Sequence, residues 1–288
     1  MTLSHLLHTE SALLITTAGL AGLVVGSFLN VVAHRLPIMM HREWQREAGA
    51  YLDMESKPDP APVNLLSPSS CCPHCSAPIR PWQNIPLLSF ILLKGKCAHC
   101  KAPISIRYPL VEILSAMLSI AVVWRFGFST QAGAGLILTW GLIALSLIDL
   151  DHQLLPDPIL FPLLWLGLIL SIGNTYTDSP SAILGAVFGY LSLWIVYIVF
   201  RIATGKEGMG HGDFKLLAML GAWTGWQVLP VIILLSSLTG AIVGTLMLAS
   251  GMLKRSTTLP FGPYLSAAGW VGLLWGQDLQ RGYLDLFT

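Results

Sequence analysis

The chain has 288 residues, of which 54% are hydrophobic and only 11% charged, with a formal net charge of +1 at pH 7. A soluble domain carries roughly 25% charged residues, so this balance and a mean hydropathy of +0.67 exclude an ordinary water-soluble globule. The net charge singles out no partner; nothing in the chain reads as nucleic-acid binding, and membrane lipid is the surrounding that the composition demands.

Apolar runs recur at the length of about 20 residues that crosses a bilayer core as a helix. Backbone groups in lipid need internal partners, so the spans should be helical. About eight such segments can be read, at 11–33, 108–126, 131–150, 157–173, 180–201, 214–226, 228–250 and 261–276. The first has no Lys or Arg before it and no small-residue cleavage site, so it reads as a retained span and not as a secretory signal. The sixth and eighth are short and glycine-rich. The expected fold is an all-α polytopic membrane protein with about eight transmembrane helices and one polar insertion. Its parts are a first transmembrane helix (1–33), a loop domain (34–106) and a multi-helix membrane domain (107–288). No internal repeat is evident.

Lys and Arg give the orientation. With alternate connections assigned to alternate sides, all but Arg125 and Arg281 of the 16 basic residues share the side of the insertion. Positive residues stay cytoplasmic. The insertion is therefore expected in the cytoplasm and both termini outside.

The insertion contains CCPHC at 71–75 and CAHC at 97–100. Cys72, Cys75, Cys97 and Cys100 form two C-x2-C pairs, a pattern that suits a structural, tetrahedral zinc site of the ribbon type. A cytoplasmic location argues against disulfides. Cys71 is left over as a competitor of Cys72, and His74 and His99 are expected to be exposed. The stretch from Tyr51 to Ser70 is rich in Pro, Ser and acids and reads as a loop.

Acids are rare in the membrane part, so each one is informative. Asp149, Asp151 and Asp157 lie in SLIDLDHQLLPDP (146–158), where the third span reaches the cytoplasm. Asp213 lies in GMGHGDFKLLAMLG (208–221), at the same face. If Asp149 and Asp213 converge, they can share one proton, because two adjacent carboxylates do not ionise together comfortably. The ionised acid can activate water and the protonated one can polarise a carbonyl, which is aspartic peptide hydrolysis. The glycines around Asp213 would leave room for a substrate backbone. Asp151 and Asp157 flank a proline turn and are equally readable as capping residues. Helix dipoles favour an anion at Asp213, at the start of the sixth span, over Asp149, at the end of the third. Asp213 is thus expected to be ionised and Asp149 to hold the proton. Lys215 reads as a tuner of the pair or as a snorkelling interfacial residue. Asn30 reads as an interhelical hydrogen bonder, and Pro260, Gly262 and Pro263 as a groove or a helix start.

Gly-His-Gly-Asp at 210–213 matches the GxGD motif of intramembrane aspartyl proteases. Over nearly its whole length the chain resembles the bacterial type IV prepilin peptidases, in GSFLNVVAHRLP (26–37), the two C-x2-C pairs, RPWQNIP (80–86), RYPLVE (107–112), IDLDHQLLPD (148–157), GKEGMGHGDFKLLAMLG (205–221) and PFGPYL (260–265). The resemblance implies cleavage of a short basic leader from prepilin and pseudopilin precursors, after a glycine, at the cytoplasmic face of the bacterial inner membrane. It places the catalytic aspartates at Asp149 and Asp213. It also implies methylation of the new N-terminal amine with S-adenosylmethionine. There is no Rossmann-type glycine fingerprint. The turn Lys94-Gly95-Lys96 beside the second cysteine pair supplies the candidate methyl-donor residues Gly95 and Lys96. Glu112, Asp151, Asp157 and Glu207 are the acids available to a basic leader, although Glu112 is better read as a structural partner of Arg107 or a neighbouring span. Competing readings are a peptidase without the second activity, a transporter using intramembrane carboxylates, a metal enzyme using Asp149, Asp151, His152 and His211, and a non-enzymatic assembly protein.

Overall fold

The structure is a computed structural model, and it describes residues 3–52, 63–206, 208–251 and 259–285. Lys57, Glu207, Lys254 and Arg255 lie outside the described residues. Among these residues the helices are α1 (Leu3–Tyr51), α2 (Leu88–Leu92), α3 (Arg107–Phe126), α4 (Thr130–His152), α5 (Asp157–Ile172), α6 (Ser179–Thr204), α7 (His211–Thr224), α8 (Leu229–Ala249) and α9 (Gly262–Asp285). The only β-structure among them is a pair of isolated bridges. Apart from the short α2, each helix corresponds to one of the expected apolar segments. The helices α1, α3, α4, α6 and α8 are long and apolar enough to cross a membrane, and the protein is a multi-pass membrane protein. The chain divides into two compact units, Met1–Phe128 and Ser129–Thr288.

In the first unit, α1 is 49 residues long and does not stop where the first span was expected to end. Pro37 has no N–H for the Ala33 carbonyl, but one lost bond does not end a helix whose next residues (38–48) include no Gly or Pro. The helix therefore consumes the start of the insertion. Small residues bring α1 onto α3: a Cβ on Gly22 would lie 2.6 Å from Ala116 Cα, and one on Gly26 2.8 Å from Glu112 Cα. Asn30 donates to the Tyr108 carbonyl across the same seam, at 3.4 Å, as its reading as an interhelical donor requires. Arg35 donates to the carbonyls of Asn64 (3.1 Å) and Pro68 (2.7 Å), which fastens the end of the loop to α1.

The second unit is built around α7. This helix has 14 residues, a rise of about 21 Å, too little for a bilayer core of about 30 Å. It is enclosed instead. Phe214, Leu216, Leu217, Met219, Leu220, Ala222 and Trp223 are all buried. The Trp223 indole N–H donates to the Leu163 carbonyl of α5 at 2.8 Å. Against α6 there is no side chain at the crossing: a Cβ on Gly221 would lie 2.1 Å from the Gly185 carbonyl oxygen, and one on Gly189 2.6 Å from the Leu217 oxygen.

Backbone atoms on both sides of that crossing cannot rotate away. Gly221→Ala is expected to destabilise the protein by more than the roughly 1–3 kcal/mol typical of overpacking, read as a lower thermal midpoint in detergent. Gly133 has nothing within 4 Å of its missing Cβ, so Gly133→Ala should raise the midpoint by relieving a helix glycine worth roughly 0.5–1 kcal/mol.

Candidate active site

Asp149 sits in the last turn of α4 and Asp213 in the first turn of α7. Both are almost fully buried, 5% and 7% exposed. Leu155 links them: it lies 2.8 Å from the Cβ position of Gly212, next to Asp213, and 3.2 Å from that of Gly262, whose N–H reaches Asp149. Two acids far apart in sequence are thus brought into one apolar site, where both cannot comfortably be ionised.

Each acid is held by a helix start. Gly210 caps α7, and its carbonyl accepts the Asp213 N–H at 3.2 Å. Asp149 lies at the end of its own helix, yet its Oδ2 accepts the N–H of Gly262, the first residue of α9, at 2.9 Å. The sequence expectation weighed the ends of α4 and α7; the structure adds a third, because the first N–H of α9 also faces Asp149.

The glycines of GMGHGD also differ from expectation. A Cβ on Gly212 would lie 2.8 Å from Leu155 Cβ, and one on Gly208 2.6 Å from Phe200 Cε1. Those two glycines admit the protein's own side chains and not a substrate. Only at Gly210 is the space open, its nearest neighbour being Asp213 Oδ2 at 3.8 Å. Leu155, from the loop after α4, is the shared wedge. It meets Gly212 and also lies 3.2 Å, through Cδ2, from the Cβ position of Gly262.

In the first unit the Sγ atoms of Cys72, Cys75, Cys97 and Cys100 all lie within 4.8 Å of one another. Cys72 Sγ is 3.8 Å from Cys100 Sγ, and four sulfurs placed tetrahedrally at about 2.3 Å from an ion are about 3.8 Å apart. The donor set fits a metal ion. The two halves repeat each other, which the sequence reading missed: CCPHCSAPI (71–79) and KCAHCKAPI (96–104). Cys72 N–H donates to Ala77 and Cys97 N–H to Ala102, at 3.0 and 2.8 Å. Ser76 and Lys101 both have left-handed φ, 55° and 60°, and Cys71–Pro78 and Lys96–Pro103 are matching bridges. Cys71 is therefore the counterpart of Lys96 and stands outside the sulfur cluster. His74 and His99 are exposed, as expected. The backbone N–H groups of Cys100 and His99 draw the Cys97 thiol down to about 6. The Ala77 N–H pulls Cys75 the same way, but desolvation and the neighbouring sulfurs outweigh it and hold it at about 11.

The residues around the two clusters match known proteins throughout. A family model described as the bacterial peptidase A24 N-terminal domain matches residues 20–126, and one described as the type IV leader peptidase family matches residues 136–245. The prepilin leader peptidase/N-methyltransferase of Stutzerimonas stutzeri is 57% identical over 99% of each chain. That of Pseudomonas aeruginosa is 60% identical over 92% of each, and that of Pseudomonas putida 53% over 99% of each. The chain belongs to the type IV leader peptidase family. No solved structure matches it. The two family models meet where the structure itself divides, after Phe128.

Other residues singled out in the sequence fall around this family framework. Lys215 forms an ion pair: its Nζ donates to both carboxylate oxygens of Asp157 at 2.8 Å and lies 5.4 Å from the centre of the Phe161 ring. Asp157 is thereby spoken for as the partner that ties α5 to α7. Glu112 is buried and accepts the N–H of Leu87 at 2.8 Å, a structural use. Gly95 (φ +67°) turns the chain over Phe90, whose ring is 3.1 Å from its Cβ position. The N–H groups of Gly95 and Lys96 are taken by the carbonyls of Phe90 and Leu93, so the turn has a structural explanation and offers no backbone donor to a methyl donor. His211 is exposed against Tyr197 and Phe214. Among the described residues the four cysteines form the only such metal-ligating cluster; Asp149, Asp151, His152 and His211 form none.

The Lys215–Asp157 pair is partly exposed, 32% and 45%, so solvent screens it. A double-mutant cycle of Lys215→Met and Asp157→Asn should give a coupling of about 0.2–1 kcal/mol in thermal unfolding.

Proposed function

We propose that this protein is an aspartic endopeptidase that removes the basic leader from type IV prepilins and pseudopilins, and that it methylates the amine so released. The observation that carries the reading is the burial of Asp149 and Asp213 about Leu155, in a chain of this family. One carboxylate, ionised, takes a proton from water as the water oxygen attacks the scissile carbonyl carbon. The other, protonated, donates to the carbonyl oxygen. Collapse of the tetrahedral species breaks the C–N bond, and the proton passes to the leaving nitrogen. The products are a carboxylate-ended leader and a free amine. Family relatives named for both activities support the second step. S-adenosylmethionine, when bound, supplies the methyl group; no residue of this chain is assigned to it. The basic-residue bias supports a bacterial inner-membrane location with the paired acids facing the cytoplasm. Cys72, Cys75, Cys97 and Cys100 would hold a structural zinc ion, their four sulfurs closing its shell and leaving no open position for chemistry.

Purified enzyme incubated with a model prepilin, with and without S-adenosylmethionine, and analysed by intact mass, tests both steps. Loss of the leader mass marks the peptidase and one further methyl mass marks the transferase. Asp149→Asn and Asp213→Asn should each lower cleavage by at least about 100-fold with the thermal midpoint retained. Full cleavage by either variant would refute the assignment. Cys97→Ser should lose most of the bound zinc, measured by elemental analysis of the purified protein.

A further inference from the structure

The start of α9 carries more than a helix cap. Pro263 has no N–H. The N–H groups of Tyr264 and Leu265 both return to the Phe261 carbonyl at 3.1 Å. The Gly262 N–H is thus the donor of this turn that points away from its own helix, and it ends on Asp149 Oδ2, 113 residues away in sequence, in a buried contact. The space where a side chain would stand at 262 is filled by the same site. A Cβ there would lie 2.6 Å from Asp149 Oδ2, 3.1 Å from Asp149 Cγ and 3.2 Å from Leu155 Cδ2. Leu155 is also the wedge against Gly212, the neighbour of Asp213.

The geometry points to Gly262 as a positioning residue of the peptidase: its N–H fixes the Asp149 carboxylate through Oδ2 and so sets the direction in which Oδ1 points. This rests on the reading of Asp149 and Asp213 as the catalytic pair. A backbone N–H donated to a carboxylate stabilises its charged form. Asp149, bound at Oδ2, presents Oδ1 to the reacting groups. Glycine is required at 262 because any side chain would occupy the gap that the hydrogen bond spans.

Gly262→Ala, Gly276→Ala and Asp149→Asn are compared with the parent enzyme on a model prepilin, with kcat, KM, the pH dependence of kcat and the thermal midpoint recorded for each. Gly276 is the packing control. It lies on α9 with comparable crowding, its Cβ position 2.7 Å from Val228 Cγ1, but away from the acids. Gly262→Ala is expected to lose about tenfold or more in kcat, as misplacement of a reacting group does, with KM within about twofold. Its acidic limb should move to higher pH, because the anion of Asp149 has lost its donor. Gly276→Ala should lower the midpoint and leave the limb in place. A Gly262→Ala enzyme with unchanged kcat, or with reduced kcat and an unmoved acidic limb, overturns the inference. If Asp149→Asn is inactive while Gly262→Ala is unaffected, the inference alone fails; if Asp149→Asn cleaves normally, the catalytic pair itself is wrong. If Gly262→Ala does not fold, Asp149→Glu is the second variant: its longer side chain moves the carboxylate off the Gly262 N–H, kcat should fall about tenfold or more, and full activity overturns the proposal.

Discussion

Gly185 of α6 and Gly221 of α7 meet with no side chain between their backbones, and the second unit depends on that contact. A helix as short as α7 cannot be held by the bilayer, and too few of its residues reach lipid to fix its depth. It is held by protein on every face that the packing defines: by backbone at α6, by the Trp223 indole at α5, and by leucines and methionine in the core. Interiors packed to this density transmit position without slack. Because α7 cannot slide, Asp213 on its first turn cannot either. Asp213 is located by contacts remote from it in the sequence.

The remaining constraint is electrostatic. An apolar unit has no bulk water to solvate two carboxylates, so it supplies helix starts instead. Those of α7 and α9 converge on the pair, each opened by a glycine or a glycine-flanked turn. Leu155 lies against both starts. The Lys215–Asp157 bridge stays at the partly exposed margin, where a charge pair is inexpensive.

Much of this was legible in the residues. The apolar lengths gave the helices because hydrophobic spans are a strong local signal. The two C-x2-C pairs gave the sulfur cluster because its spacing is set by coordination geometry. The placing of Asp149 and Asp213 about Leu155 was expected from the basic-residue pattern. What was hidden depended on contacts between distant segments. Gly262 looked like helix punctuation between two prolines, and its hydrogen bond to Asp149 has no local trace. Gly208 and Gly212 looked like space for a ligand, since a sequence does not reveal that Phe200 and Leu155 already fill it. The continuation of α1 through Pro37 was missed because a proline and a change to polar residues mimic a helix end. The repeat of the knuckles could have been found: CPHCSAPI and CAHCKAPI align without a gap, and their shared alanine, proline and isoleucine are the bridge and turn residues.

Gly210 stands apart from the other glycines of its run. Its φ of −76° is one that every amino acid adopts, and nothing crowds its missing Cβ except the nearby edge of Asp213. Gly210 is the N-cap of α7, a position that Ser, Asn or Asp fills as well. On the proposed function, its open space lies where a substrate chain would approach Asp213, and its size is a tunable aperture. Alanine, serine or a larger residue at that position would narrow the approach in graded steps while leaving the scaffold intact, which makes 210 the natural place to adjust how bulky a chain the site admits.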